Sequence, residues 1–202
     1  PTIPAITKDR EYFNLMPQDT IYLCCQMLIK YLPQYDYIFP AIAQQVPSAK
    51  FIFFKTSEVG NQDMVKFYGR LKKIFAQWNL KSENFCVTLP KLEFDKYLNI
   101  HLLSDIFLDT FGWSGGVTSL DAIACGLPIV TCPGEFMRGR QSYGMLKIID
   151  VTETIAKNEA EYVNIAVRLG LDKSWRQSVK NKMKNNASCL YNDQSCIEAL
   201  EV

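Results

Sequence analysis

Short runs with apolar centres alternate along this chain with longer amphipathic stretches, and no other feature constrains the fold as tightly. The apolar runs cover residues 20–26, 50–55, 84–89, 105–109 and 128–132, and helical periodicity fills the intervals at 35–45, 62–78, 91–103 and 116–125. A strand with one wet face alternates apolar and polar side chains, whereas a strand apolar at every position is covered on both faces. Strands of that kind, joined by helices of about ten residues or more, predict a parallel sheet with helices on either side, the doubly wound α/β arrangement. After Cys132 the pattern is helical only, at 137–147, 159–169, 173–187 and 193–201. The expectation is a single Rossmann-like domain over residues 1–202, with an α/β core to about residue 150 and a helical C-terminal tail over 151–202.

Such sheets bind ligands outside the carboxyl ends of their strands, where the strand order reverses. The residues to weigh are therefore Gln26 and Lys30 after the first run, Lys55 and Thr56 after the second, Pro90 and Lys91 after the third, 110–118 after the fourth and 133–140 after the fifth. The fourth segment carries the strongest signal. Asp105-Ile-Phe-Leu-Asp-Thr-Phe-Gly-Trp-Ser-Gly-Gly-Val-Thr118 reads as a strand, a glycine-rich loop and a helix opening at Gly115-Gly116-Val117-Thr118. A turn of that kind leaves backbone N–H groups unpaired at the positive end of a helix dipole, which suits an anion such as a diphosphate. Asp121, one turn into the helix, can accept hydrogen bonds from ribose hydroxyls. Together they predict a nucleotide-diphosphate site, with a sugar nucleotide as the ligand. The turn has no lysine after its glycines and no Gly-x-Gly-x-x-Gly spacing, which argues against a P-loop and a standard dinucleotide fold.

Several positions keep two readings. The glycine pair also suits a plain strand-to-helix connection, and the Thr118 hydroxyl can cap the helix as well as bind phosphate. Lys30 is either a solvated lysine or a cation that stabilises a diphosphate leaving group. Lys91 is either a surface lysine at a helix start or a contact to ribose or base. The 133–140 loop, with Glu135, Arg138 and Arg140, either lines a sugar pocket or is a solvated connection. Trp113 is expected at the edge of the core, with stacking on a base or sugar as the alternative. His101, the single histidine, is expected to be structural, because no Ser, Cys or acid is placed to form a triad with it. No Asp-x-Asp occurs, so no metal-clamped diphosphate is expected. The basic stretch 173–184 reads as a solvated helix face.

A formal net charge of +1 gives no case for bulk attraction to nucleic acid or a membrane. No apolar run approaches the roughly 20 residues of a membrane helix, and no basic-then-apolar leader is seen. The seven cysteines, Cys24, Cys25, Cys86, Cys125 and Cys132 in apolar surroundings among them, include no CxxC pair. That usage fits reduced thiols in a cytoplasmic setting rather than a zinc site or a disulfide framework. The chain begins at Pro1 and ends inside a helical pattern, so a piece of a longer protein is expected.

With these residues in view, the chain resembles the C-terminal catalytic half of the O-linked N-acetylglucosamine transferase family, in its bacterial tetratricopeptide-linked form. The resemblance rests on Gln26-Met-Leu-Ile-Lys30-Tyr-Leu-Pro33, Leu108-Asp-Thr-Phe-Gly-Trp-Ser-Gly-Gly-Val-Thr118 and Leu120-Asp121. It continues through Gly126-Leu-Pro-Ile-Val-Thr-Cys-Pro-Gly-Glu135, Arg140, Ile155-Ala-Lys-Asn-Glu-Ala-Glu-Tyr162 and Ala166-Val-Arg-Leu-Gly170, in order over most of the chain. It implies a GT-B fold of two Rossmann-like domains, the second holding the donor, and inverting transfer of a sugar from UDP to a protein side chain without metal or other cofactor. Position by position, it implies that Lys30 is the catalytic lysine on the UDP diphosphate, with Gln26 as a further substrate contact. Lys91 resembles the uridine contact, with the backbone at Leu89 facing the base. Gly115, Gly116, Val117 and Thr118 resemble the helix-start amides and hydroxyl on the phosphates, and Asp121 the carboxylate on the ribose.

Two positions depart from the family pattern. Val117 stands where the family has the first of two threonines, and Phe94 stands where it has a histidine three residues after the lysine. The implied partners are a UDP-sugar, an acceptor protein, an acceptor-side domain before Pro1 and tetratricopeptide repeats of about 34 residues. The preferred reaction is transfer of N-acetylglucosamine to Ser or Thr of proteins, with this segment inactive by itself. The alternatives are glucosyl transfer to asparagine, a non-catalytic nucleotide-sugar-binding module, and an epimerase acting on UDP sugars.

Overall fold

The computed structural model describes residues 3, 5–55, 62–191 and 194–201; Thr56 and Asp193 lie outside them. Five parallel strands form one sheet in the order β3-β2-β1-β4-β5. They are β1 (Thr20–Cys24), β2 (Ala49–Phe54), β3 (Cys86–Leu89), β4 (Ile106–Leu108) and β5 (Ile129–Val130). Tyr22 in the central strand pairs with Phe51 on one side and Ile106 on the other. Each strand sits where an apolar run is found, but β1 and β4 stop short of the polar residues that end their runs. Gln26 and Asp109 thereby leave the ladder and become available at the sheet's C-terminal edge.

All of β1 is buried, as a strand covered on both faces must be. Phe39, Phe51, Phe53, Phe67 and Tyr31 meet largely edge-to-face beneath the first crossover helices. Each such ring taken from water contributes roughly 1.5–3 kcal/mol. From β1 to β3 the chain moves one way across the sheet, and through β4 to β5 it moves the other. Right-handed crossovers then place α1 (Ile38–Gln45) and α2 (Gln62–Gln77) on one face, with α3 (Phe94–Leu103) and α4 (Val117–Ala124) on the opposite face. In α2 the spacing of Met64, Phe67, Leu71 and Phe75 makes the apolar stripe that docks on the sheet.

The helical segment after β5 covers both faces. The expected helix over 137–147 is divided: a 3₁₀ turn at Met137–Gly139 is followed, after Arg140 at φ −129° and ψ 6°, by α5 (Gln141–Ile148). The break is steric, since Gly139 lies against the backbone of Gly112, where an added Cβ would sit 3.2 Å from the Gly112 carbonyl oxygen. Helix α6 (Glu159–Leu171), capped by the Asn158 side chain, packs on α1, β4 and β5. Its Ala166 carbonyl accepts the Tyr22 hydroxyl at 3.0 Å, and Gly170 leaves the space that this hydroxyl fills. Helix α7 (Lys173–Asn186), capped by Asp172, packs on α4 and α6. Its basic face is not simply solvated, as the sequence suggested. Arg176 donates to the carbonyls of Leu169 and Gly170 and pairs with Asp105 at 3.3 Å, while the stem of Lys184 lies over Gly126. One further helical turn, α8 (Ser195–Glu198), follows. Buried residues from Phe13 to Met183 form one contiguous core.

Candidate functional site

The strand order reverses between β1 and β4, and the polar residues released by those two strands meet there. Gln26, only 4% exposed, is the hinge of the group. Its amide nitrogen donates to the Thr118 hydroxyl at 2.5 Å, and its amide oxygen accepts the Lys30 ammonium at 2.8 Å. A residue just past β1 thus ties the first loop to the helix that follows β4. Lys30 lies on a 3₁₀ turn, Leu28–Lys30, whose exit is fixed by Arg70. The Arg70 guanidinium donates to the Tyr31 carbonyl at 2.6 Å and to the Asp36 carboxylate at 2.7 Å. Partial burial pulls the Lys30 pKa down, and the nearby Asp109 carboxylate pulls it back up.

On the β4 side, Gly116 caps α4 with φ −95° and ψ −97°. The amides of Gly116, Val117 and Thr118 have no acceptor among the described residues, as expected of a helix start. The Gly115 amide instead donates to Asp109 Oδ1 at 2.7 Å. Gly115 is required by crowding rather than by an unusual backbone angle: a Cβ would meet the hydroxyl of Ser119 and come within 2.7 Å of the Gln26 amide and 2.8 Å of the Thr118 hydroxyl. Val117 is the misfit, projecting its isopropyl group outward at 72% exposure. Asp121 follows one turn later, half-buried and without a hydrogen-bond partner among the described residues. Burial raises its carboxyl pKa.

Asp109, which the sequence reading did not single out, holds the turn from below. Its buried carboxylate accepts from Ser114 Oγ at 2.6 Å, Thr131 Oγ1 at 2.7 Å and the Gly115 amide. Burial pushes its pKa up, and these donors oppose that shift. With its hydrogen on Asp109, Ser114 Oγ accepts from the Ser142 amide at 2.9 Å and lies 2.8 Å from Ser142 Oγ, which is also 2.8 Å from Ser119 Oγ. The Asp109 carbonyl accepts the Tyr162 hydroxyl from α6 at 2.8 Å. The signal in the sequence was an acid at the end of an apolar run, with serine just ahead of the glycine pair.

The base-side candidates stand apart. Leu89 ends β3 and Lys91 follows it, two strands from β1, and among the described residues no hydrogen bond joins them to the Gln26 group. The Leu89 carbonyl accepts the Lys55 amide at 2.9 Å, and Lys91 is exposed with no hydrogen-bond partner among the described residues. Phe94 opens α3, exposed and stacked on Tyr97. His101 is 1% exposed; its Nδ1 lies 2.8 Å from the Tyr97 carbonyl and its Nε2 3.6 Å from Cys25 Sγ. Burial pushes its pKa down to about 4, so it is neutral and structural.

Trp113 is not at the core edge as expected, but 53% exposed. With Met27, Ile29, Lys30, Leu32 and Arg138 it lines a cleft of about 530 Å³ beside Lys30. The 133–140 loop reaches this cleft through Arg138 and is closed on itself by Gly134 N–H to the Gly139 carbonyl and by Arg140 to the Gly134 carbonyl, both at 2.9 Å. Among the described residues there is no His/Cys/Asp/Glu cluster able to hold a metal, and no helix long and apolar enough to cross a membrane.

Residues 2–200 match the family model of glycosyl transferase family 41. The chain is 28% identical over 156 residues to the UDP-N-acetylglucosamine–peptide N-acetylglucosaminyltransferase of Giardia intestinalis, covering 77% of this chain and 10% of that protein. It is 37% identical over 91 residues to the Caenorhabditis elegans protein of the same name, covering 44% and 8%. A mutant of the Thermobaculum terrenum O-GlcNAc transferase superposes with a TM-score of 0.76 at 26% identity, over 92% of this chain and 35% of that one. Anabaena HepE in complex with UDP superposes at 0.66 and 19% identity, over 91% and 49%, a likeness of fold. The architecture is therefore the expected one, a doubly wound parallel sheet with a helical C-terminal segment, matching the catalytic half of a GT-B glycosyltransferase. The chain spans about a tenth of the length of these curated relatives and about a third of the Thermobaculum structure.

Proposed function

Because the chain belongs to glycosyl transferase family 41, we propose that it forms the donor-binding half of a UDP-sugar-dependent protein glycosyltransferase that transfers N-acetylglucosamine to Ser or Thr hydroxyls. The observation that carries this reading is the hydrogen-bonded chain Lys30–Gln26–Thr118, which sets a cation beside the open amides of α4 at the switch in strand order. A diphosphate in that crevice accepts from the Gly116, Val117 and Thr118 amides and pairs with Lys30, while Asp121 accepts from the ribose hydroxyls. An acceptor hydroxyl attacks the anomeric carbon, the bond from that carbon to the UDP oxygen breaks, and the bonding pair leaves with the diphosphate. Lys30 and the helix start lie where that charge grows, which is where a fixed cation and dipole lower a barrier most. Sequence beyond this segment supplies the acceptor-side domain, its base and the tetratricopeptide repeats. The unpaired thiols of Cys24, Cys25, Cys86, Cys125, Cys132 and Cys189 suit a reducing, cytoplasmic setting.

Calorimetric titration of UDP into the chain tests the reading. Lys30→Ala should weaken UDP by roughly ten- to a hundredfold, the value of a charge-assisted contact of about 1.5–3 kcal/mol, and leave uridine unchanged. Wild-type chain that takes up no UDP would count against donor binding. It would favour the second reading, a non-catalytic module, for which the apolar Val117 at the mouth of the phosphate turn is the motivating observation.

A further inference from the structure

The cleft beside Lys30 is built to do more than accept a diphosphate. Trp113 is presented rigidly: its carbonyl accepts the Thr110 hydroxyl at 2.7 Å, and the next amide, that of Ser114, donates to the Arg138 carbonyl at 2.8 Å. The loop bearing Arg138 is thus bonded to the loop bearing Trp113, and the contact of Gly139 with Gly112 removes the remaining play between them. Two cations stand over the one indole. Lys30 Nζ is 5.6 Å from the ring centroid, and the Arg138 guanidinium carbon is 5.9 Å away. Arg138 also rests 5.1 Å from the Phe136 ring. Lys30 is engaged by Gln26 and, on the donor-binding reading, by the diphosphate. The Arg138 guanidinium has no hydrogen-bond or salt-bridge partner among the described residues, and aromatic surfaces preset its orientation.

From this geometry we infer that Trp113 is the platform on which the donor's pyranose ring lies, and that Arg138 reads an acyl oxygen on that ring, either the carbonyl of an N-acyl group or a uronic carboxylate. The inference rests on the donor-binding reading above and adds to it the residues that would hold the sugar and discriminate it from a plain hexose. The sugar is bonded to the phosphate that Lys30 neutralises, so it lies within one ring of Lys30, over the exposed indole. An aromatic face suits the C–H face of a pyranose. A guanidinium fork suits a planar, doubly lone-paired oxygen far better than an isolated hydroxyl. A plain hexose leaves Arg138 without that partner.

The test is calorimetry of the chain with UDP, UDP-glucose, UDP-N-acetylglucosamine and UDP-glucuronic acid, repeated with Trp113→Ala and Arg138→Met; methionine keeps the packing on the aromatic rings and removes the donors. Wild-type chain should bind an acylated or uronic donor at least about fivefold tighter than UDP-glucose. N-acetylglucosamine as the tightest sugar assigns the carbonyl, and glucuronic acid as the tightest assigns the carboxylate. Arg138→Met should remove the preference over glucose, and Trp113→Ala should bring all three sugars to the affinity of UDP. UDP is the internal reference, since it reaches neither residue. An unchanged sugar preference in Arg138→Met, or a loss of UDP equal to the loss of UDP-sugar in Trp113→Ala, overturns the inference while leaving donor binding intact. Absence of UDP binding in the wild-type chain overturns both.

Discussion

The two ends of the crevice are built differently. On the phosphate side, the polar side chains around the open amides are held by other parts of the chain: Gln26 by Thr118 and Lys30, the glycine turn by Asp109, and Asp109 by Ser114 and Thr131. On the nucleoside side, Lys91 is exposed and Asp121 has no hydrogen-bond partner among the described residues. What order exists there lies underneath, where His101 joins α3 to Cys25 just past β1. A diphosphate carries concentrated charge, and a preset cage of donors answers it without further ordering. A nucleoside offers diffuse contacts, which long side chains meet by closing on the ligand. The phosphate side should therefore be hard to alter without unfolding, and the nucleoside side easy.

The largest expected effect tests the first half of that contrast. Asp109→Ala removes the acceptor for two buried hydroxyls and one amide, and should cost about 3–4 kcal/mol in urea unfolding, together with UDP binding. A loss below about 1 kcal/mol would mean that the cage is not held from beneath. Next in size is an effect of pH under the nucleoside side. His101 is pushed down to about 4 by burial, whereas an unfolded histidine titrates near 6.5. Between those values the unfolded chain binds a proton that the folded chain refuses. Stability is therefore full above about pH 6.5 and falls on the way to pH 4, by about 3 kcal/mol from this residue. His101→Gln should flatten that part of the profile, measured as unfolding midpoint against pH; an unchanged slope would place the acid sensitivity elsewhere.

The same contrast explains what could be seen in the sequence. The parallel sheet was legible because runs such as 20–26 and 50–55 are apolar at every central position, 21–25 and 51–54, and the Gly115-Gly116 turn was legible because its residue types are local. The partnership of Gln26 with Thr118 was not, since it joins residues 92 apart that only the β1–β4 pairing brings together. Asp109 was passed over because it ends an apolar run, and its role depends on Thr131, just past the neighbouring β5. Trp113 was misplaced for the opposite reason. Large aromatics are buried more often than not, and nothing local reveals that a neighbouring loop will hold this one outward. The basic α7 was misjudged because the alternation of charges conceals Arg176 and the stem of Lys184, which are consumed by packing.

The smallest effects belong to the open side. Asp121→Asn keeps the shape of the carboxylate and retains one acceptor oxygen, so it should weaken UDP by about fivefold, near 1 kcal/mol, through the ribose. Lys91→Ala should cost about twofold, as expected of an exposed and mobile cation. Neither should move the unfolding midpoint, because neither side chain makes a hydrogen bond within the described residues. Thymidine diphosphate, whose sugar lacks the 2′-hydroxyl, sharpens the assignment. If Asp121 acts on the ribose, Asp121→Asn should weaken UDP more than thymidine diphosphate. Equal weakening would place Asp121 on the diphosphate side of the crevice instead, and the division between a caged end and an open one would then have to be redrawn at the second turn of α4.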